Sequence, residues 1–463
     1  MNILLVKPYN LSDHIQPSLG LGYLAESCRS KGHKVAILDC IKKGIKVDAL
    51  VRMVKDTKPD IVGFQCYTFD LKFVKQALEG CKNLKAGVIT ILGGPHPSAA
   101  PEESFGYFGD FLDYIFVGEA ERGLPLLLDR LGKGVSHDFS DIPGLGWKEN
   151  GRVRINPQVF VEDLDSLGMP AWDLIRPEEY PECQHGAVFQ KFPIAPIIVT
   201  RGCPFSCTFC AGNIIGGKKI RKHSIDFMLR QIKYLYDDRG IREFHIIDDN
   251  FTFDKAYAKE FLRKLTGLGL DISWATPNGV RIDCLDEEML MLMKKSGLYL
   301  ISLGIESGSD RVLALMKKGT TTDKIRKGID MIHRFNIDVA GFFIVGFPGE
   351  KQEDIRKTIR FSLDLGLIRA NYFTYLPFPG TASYKELASE GKLSGVDWDR
   401  FYFMSAPYAG DGLRQSQVKS FQREAFLKFY MRPRIMLKNI LAIKSPRHFK
   451  FLLKRLFHWV IMD

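Results

Sequence analysis

The sequence predicts an α/β protein of two successive units, a doubly wound parallel sheet and then a partial barrel of six βα steps, followed by a helical basic tail. Three observations carry that prediction. Short unbroken apolar runs alternate with amphipathic helical patterns twice along the 463 residues, with an irregular stretch between the two alternations. Strands that read as continuous apolar runs belong to parallel sheets covered on both faces. The composition, 45% hydrophobic and 26% charged, is that of a globular protein. No apolar run approaches the ~18 residues of a membrane-spanning helix.

Residues 1–131 form the first unit. Apolar runs fall at Ile3–Val6, Val35–Leu38, Ile61–Phe64, Val88–Leu92 and Tyr114–Val117, with helical patterns such as Leu19–Lys31 and Val47–Thr57 between them. Five such steps predict a flavodoxin-like domain, whose ligands bind beyond the carboxyl ends of the strands. There the sequence places Pro8-Tyr-Asn10, the stretch Cys66-Tyr-Thr68-Phe69, Gly93-Gly94-Pro-His96-Pro97 and Gly118-Glu119. Glycines at such positions let a flat ligand approach the backbone. Tyr67 and Phe69 either line that pocket or pack in the core. His96 reads as a loop histidine rather than a metal ligand.

Residues 132–195 lose the regularity. A hairpin turning at Glu149-Asn-Gly151 is expected, and Leu164–Trp172 shows no period; the stretch reads as an interdomain linker.

Residues 196–385 form the second unit. Strands are expected at Ile197–Thr200, Glu243–Ile247, Ile272–Thr276, Tyr299–Gly304, Val339–Val345 and Asn371–Leu376, with helical patterns such as Tyr257–Leu268, Glu287–Ser296, Lys324–Phe335 and Ile355–Leu365. A closed barrel takes eight steps, so six predict an open one with its mouth at the strand C-termini. Cys203, Cys207 and Cys210 follow the first strand at C-x3-C-x2-C spacing. Three thiolates are one ligand short of a 4Fe–4S cluster and leave one iron open. Buried core cysteines or a zinc site are the alternatives. Arg201 beside them favours thiolates. Cys28, Cys40, Cys66, Cys81 and Cys284 read as small buried hydrophobes. Cys183, in an irregular segment, reads the same way or as a proton or hydrogen donor at the site. Nine cysteines without a signal-peptide layout predict a reducing, cytoplasmic setting.

Residues 386–463 form the tail. The net charge is +11, and from Gly412 onward twelve Lys and Arg face only Glu424 and Asp463, so the excess is local. That excludes a uniformly basic nucleic-acid binder. Three readings stand for the tail: a helical cap with a solvated basic face, attachment to an anionic membrane surface through residues such as Lys450–Trp459, and nucleic-acid binding without a recognisable module.

Cys203-x3-Cys207-x-Phe209-Cys210 resembles the signature of the radical S-adenosylmethionine (SAM) superfamily, and the resemblance spans essentially the whole chain. Gly304-Ile-Glu306-Ser307-Gly308 resembles its fourth-strand motif, and Gly346-Phe-Pro-Gly-Glu350 its fifth. Leu376-Pro-Phe-Pro-Gly-Thr381 resembles the sixth-strand end of the subgroup with an N-terminal cobalamin-binding domain. The resemblance implies a partial (β/α)6 radical SAM barrel in which the cysteines hold three irons and SAM chelates the fourth. An electron then cleaves SAM to a radical that abstracts an unreactive hydrogen.

It further implies SAM contacts at Phe209, Asp248, Asp249, Arg281, Glu306, Ser307 and Gly346, with Ile344 and Val345 against the adenine. Asx-turn capping by Asp248-Asp249 and a structural ion pair of Glu306 with a base such as Arg281 are the alternatives. Thr68, Gly93, Gly94, Gly118 and Glu119 are the implied cobalamin contacts, although the Asp-x-His-x-x-Gly motif of classical cobalamin domains is absent. The expected partners are a small-molecule or lipid-like substrate and a reductant such as flavodoxin or ferredoxin, with membrane contact through the basic tail and no nucleic acid. Methyl transfer to an unactivated carbon of a lipid-like or secondary-metabolite substrate is the expected reaction. The alternative is oxidative cyclisation, deoxygenation or rearrangement on the same architecture. An RNA methylthiotransferase would bring a different N-terminal domain and an RNA-binding barrel, and a non-catalytic sensor would not need the cluster motif.

Overall fold

The computed structural model describes residues 1–10, 15–84, 87–134, 138–182, 189–394, 396, 398–410, 412–450 and 452–453. Its first sheet has seven strands: β1 (Asn2–Lys7), β2 (Lys34–Asp39), β3 (Ile61–Gln65), β4 (Ile89–Gly93), β5 (Tyr114–Phe116), β6 (Leu145–Glu149) and β7 (Arg152–Ile155). They lie in the order β2-β1-β3-β4-β5-β6-β7, and β1 to β5 are parallel. That is the flavodoxin-like order, reached because each apolar strand is followed by a helix that must cover one face.

The expected hairpin is β6–β7, and its turn residues Asn150 and Gly151 both have positive φ. It is not linker. β6 pairs antiparallel with β5 and so covers the three-residue edge strand that would otherwise stay open. The rest of the connecting stretch is packed as well. Trp172 and Ile175 share one buried cluster with Leu19 and Tyr23 of the first unit and with Ile225 and Met228 of the second.

The second sheet holds β8 (Ile194–Ile197), β11 (Glu243–Ile246), β12 (Ser273–Val280), β13 (Leu298–Glu306), β14 (Asp338–Val345) and β15 (Arg369–Thr374). All are parallel and in sequence order, an open barrel. A small antiparallel pair, β9 (Thr200–Arg201) and β10 (Arg221–Lys222), sits at its mouth. β8 begins three residues before the expected strand because Pro196 is tolerated inside it. The carbonyls of Pro193 and Ile197 accept from Arg242 and Ile247, so the intervening Pro196 directs its missing N–H to the open edge.

The helix Gln415–Tyr430 lies along β15 and buries Val418, Phe421, Ala425 and Phe429 in the barrel core. That much of the tail is a cap. Cys183 and the end of the tail, Lys454–Asp463, lie outside the described residues.

Candidate active site

The cysteine loop starts where β8 meets β11. Asp248, just past β11, accepts from the N–H groups of Val199 (2.8 Å) and Thr200 (2.7 Å) and from Thr200 Oγ1 (2.8 Å). It is 4% exposed, and burial pushes its pKa up to about 7 against these donors. Asp248 is therefore a latch that fixes the start of the loop. Asp249 faces the other way, into the mouth. A side-chain carbon on Gly216 would lie 3.1 Å from its Oδ2, and one on Gly212 would lie 3.7 Å from Oδ1. Solvent reaches it, yet the surrounding protein raises its pKa by desolvation. Its carboxylate is thus open to a cation beside the cysteine loop.

Gly202 makes the loop possible, with φ +96° and a side-chain position 2.3 Å from the Lys219 carbonyl. Later elements then pin it. Cys203 N–H donates to Gly217 (3.0 Å) and Thr208 N–H to Met316 (3.0 Å), while the Thr208 carbonyl accepts from Ser383. Phe209 meets Phe347 edge to face at 6.5 Å. The three thiols are free, Cys203 and Cys207 half-buried and Cys210 exposed. Desolvation by the surrounding protein raises the pKa of Cys203 and, although solvent reaches its side chain, of Cys210, the latter to about 11, and the nearby Cys207 and Asp249 push the same way. Bound iron reverses that preference. Among the described residues no three His, Cys, Asp or Glu side chains converge on a single-ion position. Three mutually sensing thiols on one pinned loop fit a multi-iron cluster.

Arg201 does not serve these thiols. It turns away to Glu119 (3.1 Å) and Glu121 (2.8 Å). Arg281 takes its place: its guanidinium stacks 3.8 Å from the Phe205 centroid, and Nη1 stands 3.9 Å from Cys207 Sγ. Its Nη2 is committed to Asp283 and the Lys318 carbonyl, so Arg281 braces the loop.

Glu306 pairs with Lys318 at 2.8 Å, both nearly buried, rather than with Arg281. Burial lowers the Lys318 pKa, but the charge of Glu306 and the Cys207 thiol outweigh it and raise it. Gly304 leaves room for the pair, since a side-chain carbon there would lie 2.5 Å from Glu306 Oε1 and 2.8 Å from Lys318 Nζ and would displace them. Glu306 itself sits at φ +66°, at a register shift against β14, strain of the kind that concentrates at functional sites. Ser307 is fully buried and bonded to Thr358 and Ser309 N–H, which ties the end of β13 to the following helices. The side-chain position of Gly346 meets Val418 of the tail helix at 2.8 Å, and Val345 lies in the core. The glycine thus admits the cap.

On the first sheet's rim, Thr68 Oγ1 and His96 Nδ1 meet at 3.2 Å, both buried, and burial lowers the His96 pKa to about 4. The hydroxyl and the ring nitrogen are committed to each other. Glu119 is also withdrawn, forming bonds of 2.7 Å to Arg221 Nη1 and Nη2 and accepting from Val161 N–H. Gly93 does open on free space, and Gly94 turns at φ +101°. The Gly118 side-chain position lies 2.2 Å from Gln158 Oε1. Among the described residues, Gln158 Oε1 and Gln16 Oε1 are buried acceptors without a donor. A corrin edge carries amide N–H donors and a flat face, so open glycines, unpaired acceptors and the stacked Tyr67–Phe69 pair (5.1 Å) fit cobalamin.

One glycine joins the two rims. Gly380 (φ +77°) has its side-chain position 2.7 Å from Ile214 Cδ1, just past the cysteines, and 3.1 Å from the Ala99 carbonyl of the first unit. Beside it half-exposed rings form a string, Phe69–Phe403 (6.5 Å), Phe403–Phe373 (5.0 Å) and Phe373–Phe342 (6.0 Å). Lys318, Arg221, Glu121 and Phe403 were not foreseen. Each acts through a partner distant in sequence, and none carries a local signal.

The chain matches the model of the radical SAM superfamily over residues 197–362 and that of the B12 binding domain over residues 12–128. It is 30% identical over 440 residues to an uncharacterized methyltransferase of Pyrococcus horikoshii, covering 95% of this chain and 92% of the relative. It is 25% identical over 427 residues to the anaerobic magnesium-protoporphyrin IX monomethyl ester cyclase of Rubrivivax gelatinosus, covering 90% and 74%. Its fold resembles that of the cobalamin-dependent S-adenosylmethionine radical enzyme OxsB, at TM-score 0.74 and 16% identity over 99% of this chain and 71% of that one.

Proposed function

The chain belongs to the radical SAM superfamily, in the subgroup with a B12-binding domain, and on that premise we propose that it methylates an unactivated carbon of an apolar small molecule. The family's cofactors are a 4Fe–4S cluster, SAM and cobalamin. Bound here, they supply the electron, the radical source and the methyl carrier.

This chain's residues do the holding. Cys203, Cys207 and Cys210 bind the cluster and Asp249 takes the SAM ammonium group. Arg281 and the Lys318–Glu306 pair brace the thiolate side, and the Gly93–Gly94 edge with Gln158 and Gln16 receives the corrin. The observation that carries the reading is the junction at Gly380, which sets the glycine rim of one domain against the cysteine loop of the other. The ring string from Phe69 to Phe342 supports an apolar substrate, lipid-like or a secondary metabolite. A flavodoxin or ferredoxin as electron donor and a reducing, cytoplasmic setting belong to the same reading. Membrane contact is peripheral in it, since no helix among the described residues is long and apolar enough to cross a bilayer.

The similarity to a cyclase favours one second reading, oxidative ring closure or rearrangement without methyl transfer. Anaerobic reconstitution followed by product analysis separates the two. Methyl transfer yields S-adenosylhomocysteine and 5′-deoxyadenosine together. Deoxyadenosine alone sinks the methyltransferase reading and leaves the second, and neither product with cluster and SAM bound sinks both.

A further inference from the structure

The tail continues past the cap as a short helix, Pro433–Leu441. Ile435, 4% exposed, anchors it. Arg432 Nη1 donates to the Leu363 carbonyl (2.8 Å) and Lys438 pairs with Asp338 (2.9 Å). Further on, Ser445 Oγ meets Glu182 (2.5 Å), and His448 packs 5.0 Å from Phe189. Asp338 opens β14, Leu363 lies just before β15, and Glu182 and Phe189 precede β8. Asp338 is the N-terminal residue of its strand and the other partners lie on segments that lead into strand N-termini, so the tail lies at the end of the barrel opposite the mouth.

Its outer face is apolar. Met436, Leu437, Ile440 and Leu441 are 42, 58, 60 and 72% exposed, and their i, i+1, i+4, i+5 spacing makes one stripe. Met431 and Phe449 add to it, both exposed. Around the stripe, residues 431–450 carry Arg432, Arg434, Lys438, Lys444, Arg447 and Lys450 and no acidic residue. An exposed apolar stripe on a segment whose own charges are all cations, with Lys438 alone of them paired to a carboxylate among the described residues, is complementary to a surface with an apolar interior and anionic headgroups. A second copy is a poor occupant, because two such faces would bring cation against cation.

We propose that this helix docks the protein on an anionic lipid bilayer with the barrel mouth turned away from it. The proposal rests on the peripheral reading above and adds the face, the lipid charge and the orientation. A substrate drawn from the bilayer then leaves it before reaching the mouth.

Co-sedimentation of the full chain with vesicles of phosphatidylglycerol and phosphatidylcholine, or of phosphatidylcholine alone, tests this. The wild type is expected to pellet with the anionic vesicles only, less so in high salt. The double variant Leu437→Glu/Ile440→Glu should lose at least about tenfold in affinity while keeping its melting temperature and cluster absorbance. Lys444→Glu/Arg447→Glu, off the stripe, should weaken binding and its salt dependence. Equal binding by the Leu437→Glu/Ile440→Glu variant overturns the proposed face and leaves peripheral attachment standing. No binding to either vesicle overturns that attachment too, and the product analysis above is unaffected. A wild-type dimer in sedimentation velocity that the same variant dissolves assigns the face to a second copy instead.

Discussion

Truncating Glu119 isolates the seam between the two units. Its carboxylate, 7% exposed, takes bonds of 2.7 Å from each of two Arg221 nitrogens and 3.1 Å from Arg201. Arg221 is itself 2% exposed. Breaking one partner out of a buried ion pair costs ~3–5 kcal/mol. The lower end applies to Glu119→Ala, because Arg201 keeps Glu121 at 2.8 Å and Arg221 keeps the carbonyls of Val161 and Gly216. An unfolding entropy of ~2.1 cal/mol/K per residue gives about 1 kcal/mol/K for a chain of 463 residues. A loss of about 3 kcal/mol thus lowers Tm by about 3 °C if both units melt together. Calorimetry on the apo chain should also split the transition in two as the units uncouple.

Glu119→Gln, which keeps the shape, adds a pH signature. Burial raises the Glu119 pKa, but the Arg221 bonds and both guanidinium charges outweigh it and hold the group below the usual carboxylate range. A depressed pKa contributes stability above the unfolded value of ~4.3 and loses it as pH falls through the folded one. The gap between wild type and Glu119→Gln should therefore close in acid. A single transition within about 1 °C of wild type for both variants, at neutral pH, refutes the seam.

Adjacent aspartates should separate cleanly. Asp249→Asn is expected to weaken SAM binding about 10- to 100-fold by calorimetric titration with cluster absorbance intact, the value of one charge-assisted bond, while Asp248→Asn lowers Tm and cluster occupancy instead. Glu350 is fully buried, and burial raises its pKa to about 8 against donors from Gly346 and Phe347. Its contribution is full below the unfolded value and is lost as pH rises through 8. The wild type should lose Tm between about pH 5 and 8 while Glu350→Gln stays flat. Gln158→Ala should raise the cobalamin dissociation constant about 2- to 10-fold, read from the visible spectrum, since one hydrogen bond is lost.

Periodicity made the elements legible, because parallel strands between helices must be apolar throughout and the cysteine spacing is local. Roles were less legible. Asp248 and Asp249 are neighbours at a strand end, so they necessarily face opposite ways, and nothing in the residue type says which is the latch. Glu306 finds Lys318 only because a register shift turns it, and Glu119 meets Arg221 across 102 residues. Ser307, Thr68 and Gly346 sit at the right ends of the right strands, yet their outward neighbours are Thr358, His96 and Val418. Strand-end position names a rim; it does not name which side chain looks inward.

The glycine at 380 also sets the terms on which this architecture can be rebuilt. Three segments from three regions of the chain close on Gly380, whose φ of +77° and 3.1 Å approach to the Ala99 carbonyl both disfavour a side chain. A corrin domain grafted onto a foreign barrel would have to bring the turn after β15 with it, or accept a strained backbone at that point. The two halves are separable as sequence modules, yet their recombination is limited by fitted contacts, this turn and the Glu119–Arg221 seam among them.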